Sequence, residues 1–102
     1  MPHIIYTPKA LEDLIRLRVF LKDKNPEAAK RAVAAIKLSI KSSALHPERF
    51  RPVLDLPFYR EILIEFGASG YIARFRHEPG GNIYIVRIKH QLEDELPASE
   101  RS

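Results

Sequence analysis

The chain contains no cysteine. That absence removes a disulfide framework, a thiolate metal site and a cysteine nucleophile together, and it suits a reducing compartment such as the cytoplasm. Long apolar runs are missing too. None approaches the roughly 18 residues a membrane span requires, and no apolar stretch follows a charged start as in a leader peptide. A soluble, unprocessed cytoplasmic protein is expected, with no membrane partner. The histidines His3, His46, His77 and His90 show no ligand spacing, so neither a metal nor a cofactor is expected. A phosphate-binding glycine loop, a nucleophile elbow, internal repeats and low-complexity tracts are likewise absent.

What remains is 102 residues with 45% apolar composition, enough for one domain that buries roughly two-thirds of its unfolded surface. The formal charge of +4 is unevenly spread. Residues 1–51 carry eleven Lys/Arg against five Asp/Glu, and residues 52–102 carry six against eight. A positive surplus in the first half favours an acidic partner, nucleic acid or protein, over a neutral one, although a merely solvated basic surface has the same composition.

The pattern along the chain gives an α+β architecture. His3 to Tyr6 is a short β-prone opening, and Thr7-Pro8 supplies an N-cap hydroxyl followed by proline at the first helical position. Leu11, Leu14, Ile15, Leu17, Phe20 and Leu21 then recur at helical spacing, predicting an apolar stripe over about 8–24 with Arg16, Lys22 and Lys24 toward solvent. Asn25-Pro26 repeats the cap-plus-proline signal, so a second helix follows with almost no linker. Its apolar face is Ala29, Ala32, Val33, Ile36, Ile40 and Ala44, and Lys30, Lys37 and Lys41 share another side. His46 to Pro57 holds three prolines and no clear period, which predicts an ordered crossing loop.

Three strands follow, Tyr59–Phe66, Tyr71–His77 and Ile83–His90, joined by turns containing Gly67, Gly70 and Pro79-Gly80-Gly81-Asn82. Period-two counting puts Ile62, Ile64, Phe66, Tyr71, Ala73, Phe75, Val86 and Ile88 toward the helices. The opposite face then carries Glu61, Glu65, Arg74, Arg76, Arg87 and Lys89 among Leu63, Ile72, Ile83 and Ile85. Charge mixed with aliphatics suits a protein-binding surface. Glu93, Asp94 and Glu95 cluster at the boundary between a single domain at 1–93 and an expected acidic, flexible tail over 94–102.

The order β-α-α-β-β-β, with Tyr59-Arg60-Glu61-Ile62, Tyr71-Ile-Ala-Arg-Phe-Arg76 and Ile88-Lys89-His90-Gln91, resembles the ParE/RelE toxin superfamily of type II toxin–antitoxin modules, ParE-like members in particular. The resemblance covers about residues 3–93. It implies an N-terminal strand and a two-helix antiparallel hairpin packed on an antiparallel sheet that the C-terminal meander completes. It also implies a growth-arresting toxin of the plasmid-stabilisation type, neutralised by a cognate antitoxin that meets operator DNA on behalf of both. ParE-like members inhibit DNA gyrase and are not enzymes, whereas RelE-like members cut messenger RNA on the ribosome. A degenerate member that binds antitoxin without toxicity is the third alternative.

Chemistry weighs between the first two. Attack of a ribose 2′-hydroxyl on the neighbouring phosphate needs a base, an acid and cations for the developing charge. Arg74, Arg76, Arg87 and His90 would be the nuclease set. His90, however, shares strand parity with Val86 and Ile88, which aims it at the apolar face, and residues 91–102 contain no tyrosine or histidine. No catalytic residue is therefore expected, and the partner-binding surface is expected at Arg60, Glu61, Leu63, Ile72, Arg74, Arg76, Arg87 and Lys89. Arg60 is equally suited to anchoring the crossing loop.

Overall fold

The computed structural model describes residues 3–23, 25–67 and 69–91; Lys24 and the acidic tail, with Glu93, Asp94 and Glu95, lie outside the described residues. The elements are β1 (Ile4–Tyr6), α1 (Pro8–Lys22), α2 (Pro26–Ser43), β2 (Arg51–Pro52), β3 (Tyr59–Phe66), β4 (Ser69–His77) and β5 (Ile83–His90), with a 3-10 turn at Pro47–Arg49. Both helix starts use the signals read from sequence. Thr7 Oγ1 accepts from Ala10 N, Asn25 Oδ1 accepts from Glu27 N and Ala28 N, and a proline follows each cap.

The strands form one sheet in the order β1-β5-β4-β3-β2. β3, β4 and β5 are an antiparallel meander, and β1 joins its β5 edge in parallel. The sheet is thus mixed rather than wholly antiparallel. A parallel neighbour requires a long crossover, and the α1–α2 hairpin supplies it. The ordered crossing loop includes a short strand that its lack of period did not reveal, since Arg51 and Pro52 pair with Glu61 and Arg60.

α1 packs against α2 and β5, and α2 against β3 and β4, so both helices cover one face of the sheet. Ala10, Leu14, Leu17, Ala32, Ile36 and Ile40 meet Ile62, Ile64, Tyr71, Ala73, Phe75, Ile83, Ile85 and Ile88 there. On α1 the buried stripe is displaced from the expected one. Ala10, Asp13, Leu14 and Leu17 face inward, whereas Leu11, Phe20 and Ile15, the last 63% exposed, lie outside. Apolar residues occupy more of this helix's circumference than two packing partners can cover, and periodicity alone does not say which part is covered.

The last strand departs from strict alternation. Arg74 pairs with Arg87 but the next residue, Phe75, pairs with Ile85, which leaves Val86 as the extra residue of a β-bulge. Ile83, Ile85 and Ile88 therefore all reach the core and are fully buried, and Val86 is only partly so. The expectation that put Ile83 and Ile85 outside with Val86 inside is overturned by this one inserted residue. Beyond the bulge Arg87 and Lys89 flank the buried Ile88, and the Arg87 guanidinium reaches Asp13 of α1.

Candidate functional site

The face of the sheet away from the helices gathers the charged residues of the meander. Register places Glu61 beside Arg74, Arg74 beside Arg87, Leu63 beside Ile72, Ile72 beside Lys89 and Arg76 beside Tyr84. Glu61 is its electrostatic centre. Its Oε1 accepts from Arg51 Nη2 at 2.8 Å, and its Oε2 accepts from Arg74 Nη2 at 2.8 Å and Nε at 3.1 Å. One carboxylate thus holds two guanidiniums, the Arg74 contact through two donors, which fixes the arginine planes. Arg76 lies 3.3 Å from Glu78 and has its guanidinium carbon 6.0 Å from the centre of the Phe58 ring.

Arg87 belongs to a different cluster. Its Nε donates at 2.9 Å to Oδ2 of Asp13, which also accepts from the Ile88 backbone N–H at 2.9 Å. Arg16 Nη2 completes the group, 3.4 Å from Asp13 Oδ1 and 3.3 Å from Ile88 O. Asp13 is 1% exposed, a buried charge balanced by cations and a main-chain donor. The sequence reading passed over it. The available signal was a carboxylate sitting among Ala10, Leu14 and Leu17 on the buried side of a helix, where only a partnered charge is tolerated.

Three further expected residues have distinct places. Arg60 Nη1 donates to Phe50 O at 2.7 Å, which ties β3 to the loop before β2. Leu63 is 53% exposed, as expected of the open face, but Ile72 is only 6% exposed. Ile72 stands in the middle of the sheet with Leu63 and Lys89 as its register partners on either side, so little of it reaches the surface.

His90 stands on the other face. It pairs in register with Tyr71, and its ring meets the buried Tyr71 ring edge-on, with centroids 5.2 Å apart and planes at 85°. Arg74 and Arg76 project from the opposite side of the sheet. Register sets Arg74 and Arg87 opposite one another on neighbouring strands, but their guanidiniums turn to different carboxylates, Glu61 and Asp13, while the His90 ring meets Tyr71. Burial pushes the Tyr6 phenol above its ordinary value near 10.

The crossing loop borders an open hollow of about 810 Å³ lined by Val53, Leu56, Phe58, Tyr59, Arg60 and His77 among others. Asp55 and Phe58 have φ of 63° and 70°, a region unusual for bulky side chains. Val53 N to Tyr59 O, Tyr59 N to Leu56 O and His77 N to Phe58 O hold the loop in that shape. Among the described residues no group of three or more His, Cys, Asp or Glu is placed to hold a metal ion, and no helix is long and apolar enough to cross a membrane.

Comparison with known proteins places this geometry. The family model for the ParE toxin of the type II toxin–antitoxin system parDE matches residues 4–95. Toxin RelE3 of Caulobacter vibrioides is 36% identical over 86 residues, which is 84% of this chain and 90% of that protein. Toxin RelE1 of the same organism is 36% identical over 90 residues, 88% of this chain and 94% of that protein. Among solved structures, a chain of the chromosomal ParDE toxin–antitoxin system from P. aeruginosa superimposes with a TM-score of 0.73 at 26% identity, covering 88% of this chain and 96% of that one. The same strand, helical hairpin and meander over nearly the whole length make this chain a member of the ParE/RelE family of type II toxins.

Proposed function

We propose that this toxin acts by binding rather than by cutting RNA, that DNA gyrase is its target in the cytoplasm, and that its cognate antitoxin neutralises it and carries the pair to operator DNA. The observation that carries this reading is the separation of His90 from the arginines. A general acid or base must lie within hydrogen-bond reach of the reacting oxygen while cations face the same phosphate. Here the imidazole packs on Tyr71 on the helix-covered side, and Arg74 and Arg76 occupy the other.

The arginines of the sheet are moreover engaged by the chain's own carboxylates: on the open face Arg51 and Arg74 by Glu61 and Arg76 by Glu78, and apart from them Arg87 by Asp13 of α1. Such pairs hold side chains in fixed positions, an arrangement suited to matching a protein surface. Arg60, Glu61, Leu63, Arg74, Arg76, Arg87 and Lys89 form or border that surface in this proposal. Growth arrest on release from the antitoxin, and hence plasmid stabilisation, follows from gyrase inhibition.

The second reading, ribosome-dependent messenger-RNA cleavage by Arg74, Arg76, Arg87 and His90, draws on the RelE names of the relatives. Two assays on the purified chain separate them. Supercoiling by DNA gyrase should fall as the toxin is added and recover when antitoxin follows. Messenger RNA on translating ribosomes should stay intact at the same concentration; cleavage there with unimpaired supercoiling would reverse the choice.

A further inference from the structure

Helix α1 carries apolar residues that the fold leaves uncovered. Leu11, Ile15 and Val19 are 49%, 63% and 56% exposed, and at four-residue steps they form one row along the helix. The side that meets the core holds Ala10, Leu14 and Leu17 instead. A helix on the surface of a monomer normally turns polar residues outward where this row stands.

The charges beside the row follow an order. Lys9, Glu12, Arg16 and Asp23 lie along one flank, about 60° to 120° round the helix from Ile15. Their signs run plus, minus, plus, minus from the N-terminus, so the flank is complementary to itself read backwards. Lys9 and Glu12 meet only at 4.0 Å, both largely exposed, and Arg16 is held in place by Asp13 and Ile88 O.

We propose that this face of α1 is an interface with a second copy of the chain, the two α1 helices packing antiparallel about a two-fold axis beside Ile15. A two-fold interface joins one patch to itself, so the patch must be self-complementary. At a rise of about 1.5 Å per residue, positions whose numbers add to about 30 come level. Ile15 then meets Ile15 of the second copy, and Leu11 meets Val19; rows at four-residue steps are those that interdigitate when helices pack. On the flank, Lys9 comes within about 3 Å of level with Asp23 of the second copy, and Glu12 likewise with Arg16. Each sign faces its opposite, twice over. A phosphate backbone or an anionic lipid surface would gain at Lys9 and Arg16 and lose at Glu12 and Asp23, whereas the reversed flank gains at all four. Because α1 lies on the covered side of the sheet, the pair leaves both open faces outward. Pairing of this kind is independent of the toxin's target. A row of three side chains is short for a permanent interface, which sets the expected dissociation constant at about 1 to 100 μM.

Sedimentation equilibrium of the full chain alone should show a monomer–dimer equilibrium with its midpoint in that range. Ile15→Glu, at an exposed position, should stay monomeric at the highest concentration with unchanged thermal unfolding. Since the chain has no cysteine, introduced cysteines report the register. Ile15→Cys should link to itself under mild oxidation, and Leu11→Cys should link to Val19→Cys in an equimolar mixture. Leu11→Cys alone should not, because its two copies lie about 12 Å apart along the axis. Leu38→Cys, 69% exposed on α2, should remain unlinked. If Ile15→Glu fails to fold, the unaltered chain and the cysteine pairs still decide. A chain that is monomeric throughout, an Ile15→Glu variant that still pairs, or Leu11→Cys or Leu38→Cys linking as readily as Ile15→Cys overturns the proposal. A monomeric chain whose antitoxin binding weakens about tenfold on Ile15→Glu also overturns it and gives the face to the antitoxin.

Discussion

The two faces of the sheet share the same strands and differ in what fixes their side chains. On the covered face, burial does the work: Phe75, Ile83, Ile85 and Ile88 are fully enclosed, and among the described residues the one buried charge, Asp13, is met by Arg87, Arg16 and the Ile88 N–H. On the open face, ion pairs do it, with Glu61 clamping Arg51 and Arg74 and Glu78 held by Arg76. Burial of large apolar groups stabilises by kilocalories per residue, whereas exposed pairs contribute tenths to about one kcal/mol. The covered face should therefore govern stability and the open face recognition.

The largest expected effect is at the buried charge. Asp13→Ala leaves the Arg87 guanidinium and the Ile88 N–H without their acceptor and should lower unfolding free energy by about 3 to 4 kcal/mol in denaturant titration. A loss below about 1 kcal/mol would mean the helix–strand clasp contributes little. Close behind, Ile85→Ala should cost about 3 kcal/mol and Val86→Ala about 1. Equal costs, or the reverse order, would contradict the bulge that sends Ile85 inward.

Gly70→Ala comes next. A Cβ there would stand 2.3 Å from Ile64 O, a backbone atom that cannot swing aside, and a loss of about 2 kcal/mol in thermal unfolding is expected. Arg74→Ala, by contrast, should change stability by less than about 1 kcal/mol while weakening antitoxin binding about tenfold or more in calorimetric titration. Unchanged affinity would reduce the open face to solvated surface. The smallest effect is assigned to His90→Gln: growth arrest should persist at wild-type level, where loss of a catalytic acid or base would lower activity by about 10² to 10⁴.

Much of this contrast was legible in the sequence, for identifiable reasons. Thr7-Pro8 and Asn25-Pro26 mark helix starts through their own local chemistry, and alternation in Tyr59–Phe66 and Tyr71–His77 assigns sides directly because those strands pair without interruption. The reading failed where a non-local event intervened. The bulge at Val86 reversed Ile83 and Ile85, because one unpaired residue inverts the parity of everything before it. α1 has more apolar surface than the sheet and α2 can cover, so the identity of its buried side depends on packing that periodicity does not encode. Ile72 was assigned to the open face, yet in the middle of the sheet it is only 6% exposed, a depth that alternation along one strand does not encode. Asp13 escaped notice for a related reason: its partners, Arg87 and Ile88, are more than seventy residues away. Of the candidate site, the arginines and Glu61 were visible as a set, but Arg51, which completes the Glu61 clamp, lay in a stretch read as loop.

The central claim is that the toxin acts by occupying gyrase and not by cleaving RNA. It is tested most directly by inducing the chain alone in cells and following growth, plasmid supercoiling and messenger-RNA integrity in the same culture. Growth arrest accompanied by loss of negative supercoiling, with transcripts intact, is the predicted result. Rapid transcript cleavage at ribosome-bound codons, with supercoiling undisturbed, would contradict it.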